Sequence, residues 1–231
     1  MRAFDDRLLV VAGTDTEIGK TTVACAVLDA LWRAGREVRG IKPVESGIEL
    51  HEDPSDEDGY RLAEASGQDA PRRALQRLKA PIAPPVAARD EGVELRPDRW
   101  LQRIRDLREE AELTLVEGAG GLLSPLADGF DTRTLAVALE APVLLVASDS
   151  LGTLNHLFLT HEALRASGCE VVGVVFSAPA LADASTGRNA AEVAEHFGDI
   201  PIASLPRVSD TTQGAKALEG FCEELWRRVK E

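Results

Sequence analysis

The stretch Gly13-Thr-Asp-Thr-Glu-Ile-Gly-Lys-Thr-Thr22 decides the fold class of this chain. It follows the apolar residues 8–12 and precedes the helix-like residues 23–32, so a predicted strand leads through a glycine-containing loop into a predicted helix. That order, with the ending Gly-Lys-Thr, is typical of a phosphate-binding loop. Five residues separate Gly13 from Gly19, where the common motif has four. We therefore predict a nucleotide triphosphate site at this loop.

Each part of such a loop has a physical role. Its backbone N–H groups turn inward around phosphate oxygens, and the start of the following helix adds positive potential. Lys20 is expected to reach the β- and γ-phosphates, and the hydroxyl of Thr21 to ligate Mg²⁺. An ordinary turn with an incidental lysine is the alternative, but it leaves the order of strand, loop and helix unexplained. The loop residues that we expect to bind nucleotide are Gly13, Thr14, Asp15, Thr16, Glu17, Ile18, Gly19, Lys20, Thr21 and Thr22.

Length, composition and charge restrict the kind of protein. The chain has 231 residues, of which 44% are hydrophobic and 28% charged. This is ordinary for a soluble globular protein, and we expect one domain over residues 1–231. The formal net charge of −13 opposes binding to nucleic acid. No apolar run approaches the roughly 18 residues of a membrane-spanning helix, and the N-terminus lacks the apolar core of a signal peptide. We expect a cytoplasmic protein that binds neither nucleic acid nor membrane.

Cysteine and histidine show no metal-binding spacing. The three cysteines, Cys25, Cys169 and Cys222, are far apart in the sequence, and we expect them to be reduced and buried. His156 and His161 are five residues apart on one predicted helix, so they do not share a face. We predict no transition-metal site.

Short apolar runs alternate with amphipathic stretches along the chain. This alternation predicts an α/β fold with a doubly wound, mostly parallel sheet flanked by helices and with ligands at the carboxyl ends of the strands. Together with the loop at Gly13–Thr22, it predicts a phosphate-loop NTPase-like fold. Residues 49–88, rich in charge and proline, are predicted to form an irregular active-site insertion around one helix. The predicted strands are 8–12, 37–41, 113–117, 143–147, 171–176 and 202–205, and the predicted helices are 20–33, 59–66, 98–110, 132–139, 153–167, 185–196 and 211–230.

Polar residues follow two more of the predicted strands. Lys42 and Ser46 lie in Lys42-Pro-Val-Glu-Ser46-Gly, and Glu117 precedes the glycine-rich residues 118–121. Lys42 is placed to meet a transferred phosphate or a developing anion, with a solvated lysine as the alternative. Glu117 would be costly to bury unpaired, so a metal ion is its natural partner, with a simple salt bridge as the alternative. We expect both Lys20 and Lys42 to face solvent or ligand more than core.

Four motifs in this order resemble those of dethiobiotin synthetases. They are Gly13-Thr-Asp-Thr-Glu-Ile-Gly-Lys-Thr21, Lys42-Pro-Val-Glu-Ser-Gly47, Val116-Glu-Gly-Ala-Gly-Gly121 and Leu151-Gly-Thr-Leu-Asn-His156. Any one of them occurs in several phosphate-loop families, whereas the longer loop combined with Lys-Pro-Val and Glu-Gly-Ala-Gly-Gly is specific. The resemblance covers residues 8–206.

The resemblance implies an ATP- and Mg²⁺-dependent ligase of biotin synthesis. Such an enzyme carboxylates 7,8-diaminononanoate with CO₂, phosphorylates the carbamate and closes the ureido ring of dethiobiotin, with ADP and phosphate as the other products. It also implies a homodimer, in which the start of one helix holds the substrate carboxylate across the subunit interface.

The functional positions of the family fall on particular residues of this sequence. The catalytic residues would be Thr16, Lys20 and Lys42. Asp58 best matches the metal-binding aspartate, although Asp53 and Asp56 lie in the same acidic run. The metal ligands would be Thr21, Asp58 and Glu117, the nucleotide site would also include Glu117, Gly118 and Ser177, and the substrate would contact Thr16, Lys42, Ser46, Gly152, Thr153, Leu154 and Asn155.

One departure from the family and two competing interpretations concern the nucleotide site. Many members carry an adenine-recognising asparagine after the fifth strand, where this chain has Ser177. A hydroxyl cannot reproduce the paired donor and acceptor of an amide, so the site could accept other nucleotides. A ParA/MinD-like nucleotide switch is one alternative, but it would need a lysine where this chain has Asp15. A cobyrinate amidotransferase would need a glutaminase domain, for which we expect no room before Glu231.

Overall fold

The strands of the molecule form one large sheet and two small ones. A computed structural model describes residues 4–230. The strands are β1 (Leu8–Gly13), β2 (Val38–Ile41), β3 (Val44–Ser46), β4 (Gln76–Leu78), β5 (Leu113–Glu117), β6 (Pro125–Ala127), β7 (Phe130–Asp131), β8 (Val143–Ser148), β9 (Val171–Ser177) and β10 (Ile202–Leu205). The large sheet has the order β10-β9-β8-β1-β5-β2, and all its neighbouring strands are parallel. The predicted parallel sheet is confirmed.

Helices cover both faces of the large sheet. They are α1 (Lys20–Arg33), α2 (Asp58–Ser66), α3 (Pro84–Glu91), α4 (Pro97–Arg108), α5 (Thr132–Leu139), α6 (Thr153–Ala166), α7 (Asn189–Phe197), α8 (Thr211–Ala217) and α9 (Glu219–Lys230). Along β1, Leu8, Val10 and Ala12 belong to one hydrophobic cluster with α3 to α7. Leu9 and Val11 belong to another with α1, α2 and α9. Successive side chains of a strand point to opposite faces, so the sheet is doubly wound as predicted.

Burial on both faces explains why the central strands are almost wholly apolar. Every residue of β1 and of β5 is buried, and each such Leu or Val stabilises the fold by roughly 1.5–3 kcal/mol relative to an exposed position. Because the strands are parallel, their carboxyl ends share one edge. The register places Val11 beside Glu117 and Ile41 beside Val116. The loops that follow β1, β2 and β5 therefore meet at this edge.

The predicted elements agree closely with the observed ones in most places. The six predicted strands of the large sheet are confirmed, each to within one residue at either end. The predicted helices 20–33 and 132–139 are confirmed at both ends, and the predicted helices 59–66, 98–110 and 153–167 to within two residues. Strong apolar periodicity and short connections account for this agreement.

Two predicted helices differ from the structure. The predicted helix 185–196 begins only at Asn189. The carboxylate of Asp183 accepts the N–H of Ser185 at 2.8 Å and its hydroxyl at 2.6 Å, and such local bonds compete with a helix. The predicted helix 211–230 is divided into α8 and α9 at Leu218, whose side chain is fully buried. This break lets α8 pack on α1, where Gly214 lies close to Ala26.

Residues 49–88 are more regular than predicted. β3 pairs with β4 in parallel, and two short 3₁₀ turns, Ile48–Leu50 and Pro54–Asp56, lead to α2. α3 begins at Pro84, because a proline in the first turn of a helix gives up an N–H that has no helical acceptor. The prediction that this segment is irregular apart from one helix is therefore wrong. The segment carries α2 to the edge of the large sheet.

The cysteines and histidines are distributed over several parts of the fold. All three cysteines are free, and Cys169 is only half-buried, unlike Cys25 and Cys222. Nδ1 of His161 lies 3.2 Å from Nε2 of His196, between α6 and α7. Within residues 4–230, no group of three or more His, Cys, Asp or Glu side chains is arranged to hold a metal ion. No helix within the same residues is long enough and apolar enough to cross a bilayer.

Candidate active site

The phosphate loop joins β1 to α1 and contains two residues in left-handed backbone conformations. Glu17 has a φ of 56° and Gly19 a φ of 91°. The ammonium of Lys20 folds back over the loop and donates to the carbonyl oxygen of Asp15 at 2.8 Å. A Cβ on Gly13 would lie 2.8 Å from Cδ of Lys20, so this glycine leaves room for the lysine. The loop therefore has the form of an anion-binding nest at a helix start.

Four polar side chains meet beside this loop, at the carboxyl ends of β2 and β5. Nζ of Lys42 donates to Oε1 of Glu117 at 2.6 Å and to Oδ2 of Asp58 at 2.8 Å. The hydroxyl of Thr21 lies 2.8 Å from Oδ1 of Asp58 and 2.8 Å from Oε1 of Glu117. Glu117 is fully buried, and Lys20 and Lys42 are only 7% and 3% exposed. The expectation that both lysines face solvent or ligand is therefore wrong for solvent, whereas both lysines do line the cavity beside the loop.

The charges of this cluster stabilise one another. Burial alone would lower the pKa of Lys42, but the carboxylates of Asp58 and Glu117 outweigh burial and raise that pKa. Burial raises the pKa of Glu117. Burial alone would raise the pKa of Asp58, but the positive charge of Lys42 outweighs burial and lowers that pKa. Burial and the nearby Lys42 lower the pKa of Lys20 to about 8. Lys42 is thus firmly charged at neutral pH, and Lys20 holds its proton less tightly.

The cluster has the donor set that a magnesium ion prefers. Thr21, Asp58 and Glu117 offer only oxygen atoms. Oε2 of Glu117 is buried and has no hydrogen-bond partner in the part of the chain that the structure describes. A buried acceptor that lacks a hydrogen bond destabilises the fold unless a ligand or ion contacts it.

A cavity of about 430 Å³ brings half of the predicted site residues together. Glu45, His51 and Arg61 also line it, although we did not predict them. Glu45 directly precedes Ser46, and Arg61 follows Asp58 by three residues and shares its helix face, so spacing could have revealed both. No motif or spacing in the sequence predicts that His51 lies at the site. The predicted residues in the lining are Thr16, Glu17, Gly19, Lys20, Thr21, Thr22, Lys42, Ser46, Asp58 and Glu117.

The predicted carboxylate-binding residues lie at the start of α6 and do not line this cavity. Gly152 precedes the helix with a φ of 88°, and Thr153 is its first residue. A second cavity of about 430 Å³ separates the phosphate loop from the side of α6, and its lining includes Thr14, Asp15, Leu123, His156 and Leu159. Within one chain, the structure therefore does not bring the start of α6 to the lysines.

Two of the remaining predicted residues contact the core of the site. Ser177 ends β9 and is buried. A Cβ on Gly19 would lie 2.3 Å from Oγ of Ser177, so the serine packs directly against the phosphate loop. The carbonyl oxygen of Gly118 accepts a hydrogen bond from Nζ of Lys42 at 3.2 Å.

The three acidic candidates for the metal site occupy different positions. Asp58 joins the cluster with Lys42. The carboxylate of Asp53 instead accepts the N–H of Ser55 at 2.8 Å and caps a short 3₁₀ turn, and Asp56 is exposed. The geometry favours Asp58.

The same fold occurs in solved ATPases of other families. The septum site-determining protein MinD from Pyrococcus horikoshii, in complex with Mg-ADP, aligns with a TM-score of 0.59 and 17% identity over 95% of each chain. A ParA family ATPase from Chlorobium tepidum aligns with a TM-score of 0.58 and 13% identity, over 95% of this chain and 99% of that one. These likenesses show the fold alone, and they give the ParA/MinD-like alternative no further support. By its fold and its loop, the molecule belongs to the class of proteins with the phosphate-loop NTPase fold.

Sequence comparison identifies the family within this class. A family model described as an AAA domain matches residues 7–215. The ATP-dependent dethiobiotin synthetase BioD of Anaeromyxobacter dehalogenans strain 2CP-C is 44% identical over 215 residues, which are 92% of this chain and 95% of that protein. The BioD of Rhodococcus erythropolis is 36% identical over 222 residues, 95% of each chain. This chain belongs to the dethiobiotin synthetase family, and the resemblance seen in its motifs is confirmed.

Proposed function

We propose that this chain is an ATP-dependent dethiobiotin synthetase, a ligase of biotin synthesis that forms carbon–nitrogen bonds. Its family membership supports this reaction. The observation that carries the proposal at the site is the position of Lys42, whose ammonium lies 2.6 Å from Glu117 and 2.8 Å from Asp58 beside the phosphate loop. This arrangement would hold a cation beside the two anions that react.

The substrates would be 7,8-diaminononanoate, CO₂ and a nucleoside triphosphate. One amine adds to CO₂ and loses a proton, which gives a carbamate. A carbamate oxygen then attacks the γ-phosphorus, and the bond to the β,γ-bridging oxygen breaks as ADP leaves. The second amine attacks the carbonyl carbon of this mixed anhydride, loses a proton and expels phosphate, which closes the ureido ring. No step requires a covalent enzyme nucleophile.

The two lysines would supply the positive charge for this phosphoryl transfer. Carbamate and triphosphate repel each other, so cations that hold them in line and neutralise the developing charge lower the barrier. Among residues 4–230, the ammonium of Lys20 donates to a single backbone carbonyl, which leaves it able to take phosphate oxygens. Thr16 lines the same cavity and would contact phosphate or substrate oxygens.

Magnesium is the second source of positive charge in this proposal. Thr21, Asp58 and Glu117 would hold the ion, and the unpaired Oε2 of Glu117 supports this role. When bound, the ion neutralises phosphate charge. Lys42 contacts both carboxylates and therefore keeps them oriented toward the phosphate loop.

The proposal includes a homodimer with shared substrate pockets. Gly152, Thr153, Leu154 and Asn155 of one protomer would hold the substrate carboxylate at the other protomer, because the free N–H groups of a helix start suit an anion. Large apolar side chains near the start of α6 and along its side support an interface, since exposed apolar groups in proximity often mark one. Leu123, Leu151 and Leu159 are 54%, 84% and 60% exposed.

Domain organisation and location belong to the same proposal. One domain over residues 1–231 is supported by the two hydrophobic clusters, which pack on opposite faces of the same sheet. A cytoplasmic location is supported by the use of ATP as a co-substrate. Because Ser177 packs against the phosphate loop, adenine recognition by this residue is not part of the proposal.

The test is the mass of the product formed from diaminononanoate, bicarbonate and Mg²⁺ with each of several nucleoside triphosphates. We expect dethiobiotin, and release of phosphate that depends on the diamine. Hydrolysis that ignores the diamine but responds to membrane or DNA would instead support a nucleotide switch. Comparing the nucleotides in the same assay measures the base preference at a site that has Ser177 in place of asparagine.

A further inference from the structure

Glu45 contacts the backbone of a residue in the candidate metal site. It is the middle residue of β3 and is only 4% exposed. Its Oε1 accepts the N–H of Asp58 at 2.6 Å, and its Oε2 accepts the N–H of Gly59 at 3.1 Å. These are the first two residues of α2, where backbone N–H groups have no partner within the helix. Glu45 therefore caps α2 from a different part of the chain.

The residue that precedes α2 does not provide this cap. Glu57 occupies the N-cap position, but its side chain makes no capping bond. Its carboxylate accepts hydrogen bonds from Arg77 at 2.6 and 2.8 Å. Glu45 is thus the carboxylate that fixes where α2 begins, and its negative charge also complements the positive end of the helix.

Glu45 is itself held in place by the small sheet of β3 and β4. β3 pairs with β4 through Val44 opposite Gln76 and Ser46 opposite Leu78. Glu45 lies between these paired residues, so its backbone has little freedom. The first residue of α2 is Asp58, whose carboxylate contacts Thr21 and Lys42. A rigid strand is therefore connected through one carboxylate to the backbone of the candidate metal ligand.

We propose that Glu45 is a positioning residue that sets the magnesium affinity of the site by fixing the backbone of Asp58. This inference rests on the magnesium site proposed above. Both oxygens of Glu45 are occupied by N–H groups of α2, so it acts through Asp58 and not as a ligand itself. Without the charged cap, the first turn of α2 loosens and the carboxylate of Asp58 is no longer held beside Thr21.

The test compares Glu45→Gln with Glu57→Gln. The first change keeps the volume but turns an NH₂ group toward one of the two N–H donors of α2. The second is the same change at Glu57, another buried glutamate, 2% exposed, at the same helix end, whose carboxylate accepts hydrogen bonds from the side chains of Arg73 and Arg77. Mn²⁺ binding to the protein–ADP complex, followed by electron paramagnetic resonance, reports metal affinity without turnover. Amide hydrogen exchange reports the first turn of α2.

We expect Glu45→Gln to weaken Mn²⁺ binding by roughly 10- to 100-fold, the usual effect of losing a group that orients a metal ligand. Exchange at the amides of Asp58 and Gly59 should speed up in the same variant. Glu57→Gln should lose stability but keep its metal affinity and the protection of both amides. Should Glu45→Gln not fold, Glu45→Asp keeps the charge but is one methylene shorter, and it should show the same loss to a smaller degree.

Other results would overturn the inference in distinguishable ways. If the wild-type protein with ADP binds no Mn²⁺, the proposed magnesium site fails, and this inference fails with it. If the wild type binds Mn²⁺ and the Glu45 variants bind it equally well, the positioning role is wrong while the site stands. An equal loss in Glu57→Gln would also contradict the role, because general loosening of the region would then explain both variants.

Discussion

At the scale of single residues, Lys42 connects the chemistry of the site to the stability of the fold. Its ammonium is buried between Asp58 and Glu117. The two carboxylates also share the hydroxyl of Thr21, so Lys42 is what allows two acidic groups to lie together. A substitution of this lysine therefore has consequences for both activity and folding.

Lys42→Met should lower both turnover and stability. Loss of a positioned cation should reduce turnover about 100-fold or more. Removing one partner of a buried ion pair leaves the other charge uncompensated, at a cost of roughly 3–5 kcal/mol. Lys20→Met is the matched control, because Lys20 donates to a carbonyl oxygen and forms no ion pair in the described part of the chain, and it should lose activity with little change in stability. Phosphate release and urea denaturation measure the two effects, and equal stability of the two variants would contradict this account.

Glu117→Gln should chiefly raise the magnesium requirement. The amide keeps the shape of the side chain but removes the charge that attracts the ion, so half-maximal activity should need roughly tenfold more Mg²⁺. Asp56→Asn is the control, since this exposed aspartate belongs to the same acidic run as Asp58 but lies outside the cluster. An unchanged Mg²⁺ dependence in Glu117→Gln would remove Glu117 from the metal site.

The sequence could predict which polar residues matter, but not how they share their contacts. Metal ion and salt bridge are alternatives for Glu117 when only the sequence is considered. In the structure, its Oε1 pairs with Lys42 while its Oε2 has no partner among the described residues, so one carboxylate can serve both purposes. The burial of Lys20 and Lys42 was also not predictable, because Lys20 folds back over its own loop and Lys42 pairs with a residue of α2 that is distant in the sequence.

At the scale of elements, apolar periodicity located most helices and strands, and the elements that it misplaced have several different causes. The start of α7 was misplaced because Asp183 holds Ser185 in a turn. α3 was missed because Pro84 and Pro85 look like helix breakers, although proline is compatible with the first turn. The break at Leu218 depends on burial in the finished core, which no local pattern shows.

Asp183 should fix the chain that precedes α6. Its Oδ2 accepts the N–H of Leu151 at 2.8 Å. Hydrogen bonds from Ser185 and from the N–H of Leu151 lower the pKa of Asp183 to about 2. Asp183→Ala should therefore speed amide exchange at Leu151, whereas Asp199→Ala, at another exposed position, should not. Because folding depresses this pKa, the protection in the wild type should persist above pH 4 and be lost as the pH falls toward about 2. Unchanged exchange in Asp183→Ala would contradict this role.

At the scale of the whole molecule, the sequence predicted a parallel α/β fold, and the phosphate-loop motif located its functional edge. Parallel strands place all their carboxyl ends on one side, so the loops after β1, β2 and β5 had to meet. The strand order was not predictable, because it depends on which strands pair after the helices have packed. The single chain also leaves residues 152–155 outside the cavity that contains the lysines.

A second protomer should complete the active site. Lys20→Ala damages the phosphate site, and Asn155→Glu places a negative charge, at an exposed position, where the substrate carboxylate would bind. Each variant alone should be nearly inactive. In a heterodimer of the two, one of the two shared sites combines the intact phosphate loop of one protomer with the intact α6 of the other. After full subunit exchange, roughly a quarter of all sites should therefore be active.

The measurement is dethiobiotin formation by each variant and by their mixture, with subunit exchange followed by mass spectrometry of the intact dimers. The control is a mixture of Lys20→Ala with Lys42→Met. Both changes lie in the cavity that a single chain forms, so every site in this mixture carries at least one damaged lysine and no activity should return. If exchange is complete and the first mixture shows no recovery, or if a monomer is fully active, α6 of the partner does not complete the site.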